Sequence, residues 1–171
     1  MIRYDFYAEK MTGNLEVKQV HAVLLTYDGR VLLRYKNGEA RLVGGRPESN
    51  DVDWEDTLRR EALEEANCEI DKTDYIGYQK VSGDGEPYAQ VRMVARINKI
   101  GPALPDPDRL GNWVYGRVLA PYEIAQQELI KSFGKIGSEV LKYALKVAHE
   151  KEYFTELPSQ EYETLNVESR D

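Results

Sequence analysis

Cysteine and histidine are scarce in this sequence, which has one cysteine and two histidines among 171 residues. The lone Cys68 excludes an internal disulfide and favours a reducing compartment, so we expect a cytoplasmic protein. His21 and His149 are far apart in the chain, which argues against a histidine-based zinc site. The N-terminus lacks the apolar stretch of a signal peptide, and no apolar run approaches the length of a membrane span. We therefore expect neither secretion nor membrane insertion.

Basic residues are too few to predict a broad cationic surface. The chain has 23 Lys and Arg against 30 Asp and Glu, and its formal net charge is −7. We expect no nucleic acid polymer as a partner, although a nucleotide held through a metal ion is allowed. Acidic residues are concentrated near the C-terminus, so we predict one domain at 1–151 and an acidic C-terminal tail at 152–171. The tail also contains aromatic residues, and two alternatives stay open: it docks on the body or on a second subunit, or it is untethered.

The order of the predicted elements favours an α/β fold. Residues 17–27 and 31–35 read as two strands joined by a hairpin turn at Asp28-Gly29. A helix is predicted at 54–66, with Asp53 as its N-cap and Asn67 in the left-handed conformation at its end. Further strands are predicted at 41–43, 75–81, 88–97 and 113–119, and further helices at 121–131 and 136–150. Helices that alternate in this way with strands indicate layers packed on a mixed sheet.

Three glutamates on the predicted helix are the most informative feature. At 100° per residue, Glu61, Glu64 and Glu65 share a helix face about 100° wide. Like charges at this spacing weaken a helix by roughly 0.2–0.5 kcal/mol per pair. This face has no lysine to offset that cost, which suggests that a cation binds there. Carboxylates beside the Gly44-Gly45 turn are suitable ligands for Mg²⁺ or Mn²⁺ and, through the metal, for a phosphate.

The run from Arg60 to Cys68 resembles the second half of the Nudix box, R-E-U-x-E-E-x-G-U, where U is a bulky apolar residue. The resemblance implies a single-domain α/β/α sandwich with a mixed β-sheet. It also implies a metal-dependent pyrophosphohydrolase that cleaves the diphosphate linkage of a small nucleoside diphosphate derivative, with a homodimer expected on family grounds. By resemblance, the metal ligands are Glu61, Glu64, Glu65 and the backbone at Gly45, and the catalytic residues are Glu64, Glu65 and Arg60, with Arg60 orienting the cluster.

The first half of the box departs from the family pattern. The family glycine and glutamate fall on Arg46 and Val52, as if the loop had gained one residue. We predict that Glu48, Asp51 or Asp53 supplies the carboxylate that pairs with Arg60. The alternative function is a catalytically impaired module that binds a nucleotide without hydrolysing it, and a plain acidic structural protein is a weaker third possibility.

Substrate contacts are predicted at Gly44 and Arg46 in the turn, and at Gln90, Arg92 and Arg117 on strand faces. Gln90 and Arg92 alternate along one strand, so their side chains share a face that could bind phosphate or a base. Half-exposed polarity of the strand is the alternative interpretation.

Two aspartates and one histidine have less specific interpretations. Asp106 and Asp108 lie in a proline-rich loop where some members of the family place a further carboxylate, but solvated turn residues are the more common case. His21 is predicted to be a packed core residue.

Overall fold

The computed structural model describes residues 1–154 and 156–169, which are arranged around one mixed β-sheet. The strands are β1 (Arg3–Tyr7), β2 (Glu16–Leu25), β3 (Val31–Lys36), β4 (Glu39–Arg41), β5 (Val43–Gly45), β6 (Cys68–Gly83), β7 (Gly85–Ile100), β8 (Gly116–Ala120) and β9 (Glu163–Asn166). The helices are α1 (Trp54–Ala66), α2 (Tyr122–Phe133) and α3 (Lys135–Glu150).

Strand β2 lies at the centre of the sheet, whose order is β1-β6-β7-β2-β3-β8-β9. It runs parallel to β7, whereas the other pairings are antiparallel. On its other side β2 changes partner: Val20, His21 and Ala22 pair with β5, and Leu24 and Leu25 pair with β3. This change of partner places the Gly44-Gly45 turn directly beside the middle of β2.

The helices cover both faces of the sheet. Helix α1 packs on one face through a core that contains Leu58, Ala62 and Ala66. Helices α2 and α3 pack on the opposite face through a core that contains Leu129 and Leu141. The predicted single-domain α/β/α sandwich with a mixed sheet is therefore confirmed.

Helix α1 begins and ends where the sequence predicts. The Asp53 carboxylate accepts a hydrogen bond from Asp56 N at 2.9 Å, and Asn67 has φ 45°. Capping of this kind contributes about 1 kcal/mol to helix stability. Leu63 is apolar but 48% exposed, unlike Leu58 on the packed side of this helix. The reason is geometric, because five residues at 100° each rotate Leu63 by 140° from Leu58.

The other elements differ from the predicted ranges mainly at their ends. Strands β6 and β7 have 16 residues each and extend well beyond the predicted 75–81 and 88–97. Strand β8 begins at Gly116 rather than 113, and Pro121 is the N-cap of α2 rather than its first residue. The pairing of β1 with β6 extends the sheet by an edge strand that the sequence analysis did not predict.

The segment after α3 is docked on the body, which is one of the two alternatives above. Tyr153 and Phe154 are buried against the α3 side of the sheet, and β9 pairs with β8. The Glu168 carboxylate also accepts hydrogen bonds from Asn37 N and Gly38 N. Thr155, Arg170 and Asp171 of the predicted tail lie outside the described residues, and the domain boundary at 151 stays a prediction.

Across residues 1–154 and 156–169, every helix is too short or too polar to traverse a bilayer.

Candidate active site

The Gly44-Gly45 turn lies so close to its neighbours that neither position has room for a side chain. A Cβ atom at Gly44, where φ is 155°, would lie 2.0 Å from Val20 O. A Cβ atom at Gly45 would lie 2.1 Å from Glu61 Oε1. The two glycines therefore allow the backbone of β5 to pack against β2 on one side and against the carboxylate of α1 on the other.

The three predicted glutamates lie along this turn, and two arginines contact them. Glu61 Oε1 accepts a hydrogen bond from Arg60 Nη1 at 2.9 Å, and Glu64 Oε2 accepts one from the same nitrogen at 3.3 Å. Glu65 Oε2 accepts a hydrogen bond from Gly44 N at 3.2 Å and lies 3.2 Å from Arg34 Nε. The cluster is thus bound to the glycine turn through the backbone and to β3 through an ion pair.

Asp51 is the acidic partner of Arg60, which confirms the prediction that the lengthened loop compensates for Val52. Arg60 donates from Nε to Asp51 Oδ1 at 3.3 Å and from Nη2 to Oδ2 at 3.0 Å. Glu48 makes a longer contact with Arg60 Nη1 at 3.4 Å, whereas Asp53 is used as the helix cap. The hydrogen bonds from Arg60 lower the pKa of the Asp51 carboxyl to about 2.

Burial of the carboxylates makes their negative charge costly. Burial raises the pKa of Glu65 to about 7, although Arg34 opposes this change. Burial also raises the pKa of Glu61 and of Glu64, while Arg60 lowers both. Charged carboxylates that lose hydration need a nearby cation or donor, so this cluster is an electrostatically favourable place for a positive ion.

Asp106, for which the resemblance allowed a further carboxylate of the site, lies buried beside the glutamates and is not a solvated turn residue. Its side chain is buried, and it accepts hydrogen bonds from the Tyr115 hydroxyl at 3.0 Å and from Asp108 N at 2.9 Å. Its charge raises the pKa of all three glutamates, whereas Asp108 affects only Glu64. The loop between β7 and β8 returns towards α1, and this path brings Asp106 close to the glutamates. A buried tyrosine–aspartate pair has no local sequence signal.

The residues around the cluster suit a hard divalent cation by their chemistry. As the described part of the chain is arranged, no three Asp, Glu, His or Cys side chains converge closely enough to coordinate a metal. The reason is that Arg60 lies between Glu61 and Glu64, while Glu65 faces Gly44 N and Arg34. Oxygen donors of this kind are nevertheless the ligands that Mg²⁺ and Mn²⁺ prefer. The assignment of the ligands to Glu61, Glu64, Glu65 and Gly45 stays a prediction.

A cavity of about 570 Å³ lies between the sheet and helices α2 and α3. Gln90 and Arg92, both predicted to contact substrate, line it together with His21. His21 is thus a wall residue of this cavity rather than a packed core residue, and its Nδ1 is 3.4 Å from Arg92 Nη1. Arg34 also lines the cavity while it contacts Glu65, so the cavity and the glutamate cluster adjoin each other.

Two other predicted substrate contacts have structural roles. Arg117 is buried and donates to Ala66 O at 2.6 Å, Gly101 O at 3.0 Å and Asn166 Oδ1 at 2.7 Å. It therefore ties the end of α1 to β9, and it does not line the cavity among the described residues. The side chain of Arg46 is exposed, and its carbonyl accepts a hydrogen bond from Arg60 Nη2 at 2.9 Å. A substrate role for either arginine stays a prediction.

Comparisons with known proteins agree with the observed fold. The model of the NUDIX domain matches residues 16–130. A mutant of the Bacillus subtilis pyrophosphohydrolase BsRppH has a similar structure, with a TM-score of 0.63 and 21% identity over 86% of this chain and 90% of that one. A NUDIX hydrolase from Nitrosomonas europaea is also similar, with a TM-score of 0.54 and 17% identity over 78% and 90% of the two chains. At these identities the likeness shows the fold. No curated protein matches the chain.

Proposed function

Because this chain belongs to the NUDIX family and is a Nudix hydrolase acting on phosphorus-containing acid anhydrides, we propose that it cleaves the diphosphate linkage of a nucleoside diphosphate derivative with a divalent metal ion. The observation that carries this proposal is the partly buried cluster of Glu61, Glu64 and Glu65 against the Gly44-Gly45 turn. Its orienting ion pair between Arg60 and Asp51 is intact even though the family position is Val52.

The residues of the cluster divide the work between binding and orientation. Glu61, Glu64 and Glu65 would hold Mg²⁺ or Mn²⁺, which when bound neutralises charge on the diphosphate and lowers the pKa of a water molecule. Arg60 joins α1 to the loop at residues 48–51, and this contact keeps the carboxylates beside the Gly44-Gly45 turn. Gly44 and Gly45 let the backbone of the turn lie directly against the glutamates, and the adjoining cavity would hold the remainder of the substrate next to the cluster.

The first experiment is a hydrolysis assay of the Glu64→Gln, Glu65→Gln double variant. ADP-ribose, nucleotide sugars and nucleoside triphosphates are incubated with Mg²⁺ or Mn²⁺, and phosphate-containing products are measured. We expect the variant to lose most of the activity and to keep its circular dichroism spectrum. A Glu69→Gln, Glu150→Gln variant changes the net charge equally at exposed positions and controls for charge alone. Full activity in the first variant would refute the assignment of the site.

One observation favours a nucleotide-binding module without turnover as the second candidate. Arg60 Nη1 contacts both Glu61 and Glu64, so a guanidinium already provides positive charge between two of the ligands. Calorimetry separates the two functions, because a non-hydrolysing module binds nucleotide tightly and releases no product with any substrate of the panel. Metal-dependent product formation rules that module out.

We also propose that the partner is a small molecule, that the protein works in the cytoplasm and that it forms a homodimer. The cytoplasmic location is supported by the sole cysteine, Cys68, which is buried as a free thiol. The homodimer rests on family grounds, and a monomer in light scattering at micromolar concentration would exclude it.

A further inference from the structure

The cavity beside the glutamate cluster contains a buried arginine that is not paired with an acid. Arg92 donates from Nη2 to Gln79 Oε1 at 2.9 Å and to Gln90 Oε1 at 2.8 Å, and from Nη1 to Val91 O at 3.3 Å. None of its partners in the described residues is a carboxylate. Burial lowers the pKa of Arg92 to about 10, so the guanidinium is still charged at neutral pH. A buried charge of this kind is costly unless a counter-charge reaches it.

Arg92 also determines how the glutamines around it are oriented. A guanidinium can only donate, so the amide oxygens of Gln79 and Gln90 must face it. Gln90 Nε2 then donates to Gln19 Oε1 at 2.9 Å, so this third oxygen is also engaged. The sheet register holds the chain of amides together, because Gln90 pairs with Gln19 on one side and with Gln79 on the other. What these amides offer to a ligand is therefore mainly N–H groups.

Two further arginines line the same cavity, and each is paired with an acid that does not line it. Arg34 Nε lies 3.2 Å from Glu65 Oε2, and Arg41 Nη2 lies 2.5 Å from Glu39 Oε2. The Nε atom of Arg41 is buried without a hydrogen-bond partner. No Asp or Glu is found among the described residues that line the cavity. His21 adds no charge at neutral pH, because burial and then Arg92 lower its pKa well below the usual value. The cavity therefore combines Arg92, which has no acidic partner among the described residues, with two arginines whose acidic partners lie outside the cavity, amide donors and few free acceptors.

We propose that this cavity binds a phosphoryl group that the substrate carries in addition to the diphosphate to be cleaved. A phosphoryl group brings negative charge and acceptor oxygens, which match the three arginines and the amide N–H groups. A group that mainly donates, such as the exocyclic amine of a base, would find few acceptors there. The cavity volume of about 570 Å³ is within the range of small-molecule sites and leaves room for a sugar attached to the phosphate. The claim that this group belongs to a substrate whose diphosphate is cleaved rests on the proposed function. The claim that the cavity binds a phosphoryl group does not.

The binding test uses the full chain with a metal chelator present, so that phosphate cannot bind through a metal ion. Calorimetry with inorganic tripolyphosphate should show binding by the wild type, and at least tenfold weaker binding by Arg92→Gln and by Arg41→Gln. Arg3→Gln removes the same charge at an exposed position outside the cavity and should change the affinity less than twofold. If Arg92→Gln fails to fold, Arg41→Gln decides, because its side chain is 40% exposed at the rim. Unchanged affinity in the cavity variants would overturn the proposal.

A second measurement shows whether the bound phosphoryl group belongs to a substrate or is free phosphate. Pairs of compounds that differ by one phosphate monoester, such as ADP-ribose with and without a 2′-phosphate, are titrated into the Glu64→Gln, Glu65→Gln variant. We expect at least tenfold tighter binding of the phosphorylated member, and loss of this preference when Arg41→Gln is added. Binding of inorganic phosphate without any such preference contradicts the proposal. Since the assay needs no turnover, its result is independent of whether the chain hydrolyses anything.

Discussion

Replacement of Asp51 by Asn tests the ion pair that holds the glutamate helix in place. The side chain of Asp51 is only 7% exposed, and it receives two hydrogen bonds from Arg60 as well as bonds from Glu48 N and Thr57 Oγ1. Asparagine has a similar shape, but it loses the charge and turns one acceptor into a donor. Hydrogen bonds to charged groups contribute about 1.5–3 kcal/mol each. Because Arg60 keeps Glu48, Glu61 and Glu64 as partial partners, we expect a net loss of about 2 kcal/mol, near the lower end of that range.

The loss should be visible in both stability and activity. Urea unfolding at pH 7 measures the change in the free energy of unfolding. Substitution of a residue that holds metal ligands in place typically lowers metal affinity or activity by about tenfold to a hundredfold. We therefore expect kcat/KM of Asp51→Asn to fall by a similar factor.

Two matched variants make this test specific to Asp51. Asp53→Asn keeps a good N-cap and should change the free energy of unfolding by no more than a few tenths of a kcal/mol, because Asn and Asp cap equally well. Glu48→Gln removes an exposed and longer contact, for which about 0–1 kcal/mol is expected. If Asp51→Asn is no more harmful than Glu48→Gln, Asp51 is not the compensating partner of Arg60.

Three further predictions concern pH, the glycine turn and the buried tyrosine. The pKa of the Asp51 carboxyl is lowered from an unfolded value near 4, so the stability that its charge contributes is complete above about pH 4 and is lost as the pH falls towards 2. Urea unfolding at pH 6 and pH 3 should therefore show a smaller acid-induced loss of unfolding free energy in Asp51→Asn than in wild type, and equal losses would contradict the linkage. Gly45→Ala would bring a methyl group to 2.1 Å from Glu61 Oε1, so hydrolysis should fall by at least about tenfold. Gly38→Asn is the control in the same assay, because a Cβ atom there meets nothing within 4 Å and asparagine tolerates the φ of 73°. Tyr115→Phe removes the donor to Asp106 and should cost about 1 kcal/mol in thermal or urea unfolding, and no change would show that the hydroxyl does not hold Asp106.

Helix α1 could be predicted residue by residue because its signals are local. Asp53 and Asn67 mark its ends, and the spacing of Glu61, Glu64 and Glu65 follows from helix geometry alone. The pairing of Arg60 with the loop was also within reach, since a shifted carboxylate had to come from the few acids between residues 48 and 53. The choice of Asp51 among them depends on the path of the loop, which leaves Val52 exposed and uses Asp53 as the cap.

The docking of the tail could not be decided from its composition. An acidic segment with a few aromatic residues is compatible with disorder or with packing. The structure shows specific partners, since Tyr153 Oη donates to Asp74 Oδ2 at 2.8 Å and Arg30 pairs with Glu163 at 3.2 Å. Both partners are distant in the chain, and neither contact has a local signal.

The cavity shows most clearly how strand register limits inference from a single sequence. Gln90 and Arg92 were recognised because two residues on one strand face share a spacing of two. Gln19 and His21 have the same spacing, but an apolar setting made a core role the better prediction for His21. Parallel pairing aligns these two dyads, with Gln19 beside Gln90 and His21 beside Arg92. Since parallel partners are joined only through long connections, the sequence has no turn that specifies this register. Neither Gln19 with His21 nor Gln90 with Arg92 indicates a site by itself. The two pairs form one row of polar side chains in a cavity only when β2 and β7 pair.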